Sequence, residues 1–376
     1  MKIGEIAIKA IHIGEVAAKA LAIGANKVWE GVSKYIKFAD PVVEQICLKW
    51  SSDGIGLTPE DAAKVTDIGT TFKGNTEITS FDEFEKFGVK QMREFAFDGC
   101  SSLLSVKWPV GVSMSRGVFS SSGISAKVDL STISNTTIPY WLFSACPNLE
   151  EVIIGEKVTE IGTNSIGAVF NSCTSLRRVE IKGDSLKVIN AAFESCTSLE
   201  EINIPESVET ISGSFNGCTK LSLNANVLNN IKNLISNAFS TTKLYGVLDC
   251  KNLEQLQGGV FRDTNITGVK NLGKITKLSG SSIYVPFYNC KLLEYVILPS
   301  TLISIEALTF SNCKSLRYIV INAEQPPSLL DKNALNATPS TMSIYVPDES
   351  VDAYKSATNW SAYADRIKPL SEYQEV

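Results

Sequence analysis

The sequence predicts an α/β repeat solenoid: stacked coils of 22–27 residues, each giving one short parallel strand, with helical caps at both ends. Three observations lead there. Ten phenylalanines, Phe97, Phe119, Phe143, Phe170, Phe193, Phe215, Phe239, Phe261, Phe287 and Phe310, recur at intervals of 22 to 27 residues, a quasi-period that a stacked repeat produces and one globular core does not. Seven of them are followed three residues later by a cysteine: Cys100, Cys146, Cys173, Cys196, Cys218, Cys290 or Cys313. Each coil then carries a short alternating run, as in Leu176-Arg-Arg-Val179-Glu-Ile181 and Leu199-Glu-Glu-Ile202-Asn-Ile204.

Each part of the coil has a physical reason. Where the cysteine is missing, Ser122, Thr242 and Thr264 take its place, so the position asks for a small side chain whose S–H or O–H can satisfy a buried backbone carbonyl in the turn. These cysteines are therefore read as packing thiols rather than disulfide partners. The V-x-I alternation is a half-buried strand, and stacked coils would join such strands into a parallel sheet. Several strands end at Pro109, Pro205 or Pro299, which cannot extend a ladder. A turn through segments such as Val208-Glu-Thr-Ile211 leads to the next phenylalanine.

The assembled pattern, L-x-x-I-x-I-P-x-x-V-x-x-I…F-x-x-C-x-x-L, resembles the leucine-rich repeats of the BspA-like surface-antigen family. Phe193-Glu-Ser-Cys196-Thr-Ser-Leu199-Glu-Glu-Ile-Asn-Ile-Pro205 matches it nearly residue for residue, and the resemblance runs from residue 70 to residue 347. It implies a leucine-rich repeat fold and a role in adhesion or protein binding at the cell surface, and brings no catalytic or cofactor residues with it. The coils at Phe119, Phe239 and Phe261 depart from the pattern with Ser-Gly-Ile, Thr-Lys-Leu and Thr-Asn-Ile. The coil at Leu221-Ser-Leu-Asn-Ala-Asn lacks a clean V-x-I-P.

Four segments follow in chain order. Residues 1–31 repeat an Ile-Gly unit every ten residues, at Ile3-Gly4, Ile13-Gly14 and Ile23-Gly24, read either as short strands with glycine turns or as an amphipathic helix. The decapeptides resemble short strand repeats in structural proteins of phage-like particles, which would make this an attachment segment. Glu5, Lys9, Glu15 and Lys19 interrupt any apolar core of a secretory signal peptide, so none is expected. Residues 32–75 form an N-terminal helical cap, with Asp40-Pro41 before Val42–Trp50 and Thr58-Pro-Glu-Asp61 as helix starts. The solenoid spans 76–347. Residues 348–376 form the C-terminal cap, with Trp360, Tyr363 and Ile367 on one face of a short helix.

Composition excludes several functions. The net charge is −5 with acids and bases interspersed, so no basic stripe offers itself to nucleic acid. No apolar run approaches the ~18–20 residues of a membrane span. The single histidine, His12, lies in the N-terminal repeats, and no CxxC, metal-ligand spacing, G-x-S-x-G or phosphate-binding glycine loop occurs. No catalytic, cofactor-binding or metal-binding residue is expected, and the protein is read as a non-enzyme.

What remains is a surface. Between the inward positions of successive strands stand Lys107, Ile153, Glu180, Asn203, Ile297, Val320 and Tyr345, expected to face outward. Glu150-Glu151, Arg177-Arg178 and Glu200-Glu201 alternate in sign and predict charge pairing between rungs. The last coils differ, and Tyr295, Ile297, Tyr318, Val320 and Tyr345 form the candidate partner-binding row; a covering C-terminal cap or neighbouring subunit is the competing reading. The sequence thus reads as a non-catalytic protein-binding or adhesion protein of the cell surface. A structural or receptor-binding component of a phage-like particle, anchored through residues 1–31, is the alternative. Its partner would be a protein receptor or an assembly subunit.

Overall fold

The computed structural model describes residues 33–163 and 167–374. The decapeptide segment 1–31, with His12, lies outside the described residues. The chain winds into a parallel β-solenoid of about 12 coils with a leucine-rich repeat fold.

Each coil is pinned at its phenylalanine. The buried rings stack from Phe72 through Phe239 and again from Phe261 through Phe310, with centroids 5.2 to 5.7 Å apart, as in the parallel pair Phe170–Phe193 at 5.2 Å and 2°. Three residues on, the ladder cysteine reaches back one coil. Cys100 Sγ donates to the Phe72 carbonyl at 2.9 Å, Cys196 to Phe170 at 3.1 Å and Cys313 to Phe287 at 3.2 Å. The substitutes behave differently: Thr242 and Thr264 donate to the phenylalanine carbonyl of their own coil, both at 2.7 Å. A β-branched hydroxyl closes its own turn, whereas the longer C–S bonds of cysteine bridge to the preceding one. All nine cysteines are buried free thiols.

The strand prediction needs a correction. Most coils contribute to two parallel ladders, not one. The front ladder is built from the L-x-x-V-x-I runs: Ala126–Asp129, Leu149–Ile154, Arg178–Ile181 and Glu201–Ile202, then Tyr245–Asp249, Asn265–Asn271, Tyr295–Leu298, Tyr318–Ile321, Ser343–Val346 and Ile367–Pro369. The second runs through the segments read as turns, such as Val188–Asn190, Thr210–Ser212 and Asn233–Ile235, with Ile189, Ile211 and Leu234 in register. Strands this short bury one or two side chains each and leave no alternation to read. The α component is small: among the described residues the α-helices are Pro41–Cys47, Pro59–Lys64 and Val351–Ser356.

The front ladder is interrupted at the irregular Leu221 coil. Asn224 accepts the Asn226 amide at 3.0 Å and turns the chain into a 3-10 helix, Ala225–Leu228, leaving a bridge between Asn224 and Tyr245. Near the N-terminal end, Asp40 accepts the amides of Val42 and Val43, and Thr58 and Asp61 form a reciprocal capping box. At the other end Trp360 and Ile367 are both buried. They do not share a helix: Trp360–Arg366 is a 3-10 helix, and Ile367 starts a strand paired with Ser343–Val346.

Candidate protein-binding face

Register turns the front ladder into columns of side chains. Lys127, Glu151, Arg178 and Glu201 occupy equivalent positions on four successive strands, so their charges alternate down one column. Arg178 pairs with Glu201 at 3.7 Å and Lys127 with Glu151 at 4.0 Å. Beside them Arg177 pairs with Glu150, and Lys220 with Glu200 at 3.4 Å. The rung-to-rung pairing read from the sequence is present, and exposed pairs of this kind contribute at most about 1 kcal/mol each.

Beyond the interruption the same column becomes aromatic. Its members are Val247, Gly268, Tyr295, Tyr318 and Ser343, in register. The Tyr295 and Tyr318 rings stack with centroids 5.6 Å apart and planes at 16°. Tyr295 also leans over Gly268, where a Cβ would collide with its ring. Tyr345, one column over, meets Tyr318 edge-on at 6.3 Å and 70°. Tyr295, Tyr318 and Tyr345 are half-buried.

The aliphatic members sit deeper. Ile297 is half-buried and Val320 is 3% exposed, so Val320, read as outward-facing, packs between its strand neighbours Ile297 and Tyr345. Ile153, also read as outward-facing, is 6% exposed. The face presented by these coils is therefore the edges and hydroxyls of the tyrosines.

Sequence reasoning missed Tyr373. Its ring lies 5.3 Å from Tyr318 and 5.4 Å from Tyr345, and its hydroxyl is 3.4 Å from that of Tyr318. Burial, with this hydroxyl contact second, pushes the Tyr318 phenol well above its usual pKa. No periodicity marks Tyr373, because it follows the last strand. Gly268 was equally silent: a glycine within a strand signals close approach, but not of which side chain.

Among the described residues no helix is long and apolar enough to cross a membrane. A family model for the BspA type Leucine rich repeat region, in six copies, matches residues 66–169, 165–285 and 284–362. The chain belongs to the BspA-type leucine-rich repeat family. Its fold is similar to that of a leucine-rich repeat protein from Bacteroides ovatus ATCC 8483, with a TM-score of 0.55 and 20% identity over 81% of this chain and 87% of that one. A leucine rich cell surface protein from Faecalibacterium prausnitzii A2-165 aligns at 19% identity over 68% of this chain and 76% of its own, with a TM-score of 0.30. No curated protein matches the sequence. The phenylalanine stack and the cysteine bonds to the preceding coil thus belong to a BspA-type array.

Proposed function

We propose that this BspA-type protein is a non-catalytic recognition protein of the cell surface, binding a protein partner through the front ladder of its last coils. One observation carries the reading: the column that holds alternating charges through Glu201 changes to Tyr295 stacked on Tyr318, with Tyr345 beside them. Self-paired charges leave little to offer a partner, whereas tyrosines give large contact area with few rotatable bonds and a polar tip. Ile297 and Val320 support the row from below. A parallel sheet fixes the spacing of these rings before any partner arrives, which lowers the ordering cost of binding. The flanking helices, within 32–75 and 348–376, act as caps that close the ends of the repeat region 76–347, and residues 1–31 serve as an attachment segment.

The test is a Tyr295→Ser/Tyr318→Ser double variant used beside the wild type to capture cross-linked partners on intact cells of the source organism. Loss of a specific partner with an unchanged thermal midpoint supports the face. Equal recovery removes it. Quantifying the protein in cytosol, washed cell surface and pelleted particles checks location: enrichment in particles would favour the assembly role over the surface role.

A further inference from the structure

We infer that Leu370–Gln374 is a displaceable strap, and that its Tyr373 ring occupies the seat an aromatic side chain of the protein partner takes when the strap lifts. This rests on the reading of the tyrosine row as the partner-binding face.

The strap begins where strong pairing ends. Ile367–Pro369 is paired with Ser343–Val346, and Ile367 is buried. Pro369 has no N–H with which to continue a ladder, and the chain passes into a single 3-10 turn, Leu370–Glu372. Among the described residues from there on none is buried: Leu370 and Tyr373 are half-buried, and Ser371, Glu372 and Gln374 are exposed. Apart from the Tyr373 hydroxyl contact, the strap is tied to the body of the protein at one exposed carboxylate, Asp348, which accepts the Ser371 amide at 2.9 Å and is also approached by the Ser371 hydroxyl and the Leu370 amide. Segments with few buried contacts open locally without disturbing the core.

The seat beneath it is specific in shape. Tyr373 contacts both Tyr318 and Tyr345 at tilts of 58° and 57°, and its hydroxyl reaches that of Tyr318. Arg317, Pro339 and Thr341 border the same depression. A flat ring with a hydrogen-bonding tip fits there, and the chain's own Tyr373 displays that chemistry. Lifting the strap exposes the Tyr318 and Tyr345 edges together, so a partner presenting a tyrosine could exchange for Tyr373 without unfolding a coil.

Two measurements on the full chain test this without a partner. In amide hydrogen exchange, Ser371 and Tyr373 should exchange at least about tenfold faster than Tyr345 in the paired strand; equal protection would overturn the strap. Acetylation by N-acetylimidazole, read by peptide mass spectrometry, should rise about threefold or more at Tyr318 and Tyr345 in Tyr373→Ala, with the core residue Tyr354 unreactive and the thermal midpoint within about 2 °C of wild type. Unchanged reactivity, or reactivity gained at Tyr354 with a large fall in midpoint, would show a structural closure instead. Loss of the strap result leaves the partner-capture experiment standing, and a failed capture leaves the exchange result standing, so the two readings fail separately.

Discussion

The Asp40 carboxylate accepts the backbone amide of Thr79 at 2.6 Å, across 39 residues of chain. Its second oxygen accepts the amides of Val42 and Val43, at 2.8 and 3.2 Å. One buried side chain therefore caps the helix Pro41–Cys47 and ties it to the start of the first strand, with the Thr79 hydroxyl adding a bond at 2.9 Å. Burial opposes the charge, but the Thr79 and Val donors outweigh it and hold the carboxyl below its usual pKa.

The sign of the resulting pH dependence is fixed. A carboxyl whose folded pKa is depressed contributes fully above the unfolded value, about 3.9, and loses that contribution as pH falls through the folded value. Asp40→Asn should therefore lower stability at pH 7 by about 1–2 kcal/mol, since an amide can accept on one side only and turns donors toward donors on the other. Urea unfolding at pH 7 and pH 3 checks this. The gap between wild type and variant should shrink at pH 3, and a gap independent of pH would count against the ionised cap.

Eight of the nine thiols shift in the opposite direction, whereas the hydrogen bond with Cys173 holds Cys146 down. Burial pushes Cys100 up to about 11 and Cys218 and Cys290 up to about 12. A group whose folded pKa is raised stabilises below its unfolded value, about 8.5 for cysteine, and that stabilisation is lost as pH climbs toward the folded values. Native protein at pH 8 should leave all nine cysteines unreactive to a disulfide reagent, with all of them reacting in denaturant. Stability should fall steadily above about pH 9. Rapid titration of ladder thiols in the native state would refute the buried reading.

The phenylalanine and cysteine positions were legible because each makes the same contact in every coil, and repetition writes that contact into the sequence. The second ladder was not, because segments such as Thr210–Ser212 bury two residues or fewer and look like turn. The aromatic row was legible as composition, but its closure was not: Tyr373 meets Tyr318 from 55 residues away, a distance no period marks. Val320 was misplaced for a related reason. Alternation assigns a side to each residue, yet neighbouring strands decide whether that side is open.

Phe193 measures what the stack is worth. Its ring lies between Phe170 at 5.2 Å and Phe215 at 5.6 Å, nearly parallel to both. Phe193→Ala should cost about 3–5 kcal/mol, the range for truncating a buried aromatic. A shift in the urea midpoint no larger than that of an exposed substitution such as Glu201→Ala would show that the stack accompanies the fold without holding it.

Gly268 decides whether the tyrosine row is held from below. A Cβ there would strike the Tyr295 ring, and the backbone at 268 is not in the left-handed region, so steric contact is the reason for glycine. Gly268→Ala should destabilise by about 1–3 kcal/mol, the usual cost of overpacking, and should turn Tyr295 away from its stack with Tyr318. The double variant Gly268→Ala/Tyr295→Ala separates clash from strand propensity. If the clash carries the effect, alanine at 268 should cost at least about 1 kcal/mol less once the ring is gone, a coupling of the size seen for residues in contact. Additive effects would mean that the ring moves aside freely and that the row is not preorganised by the strand beneath it.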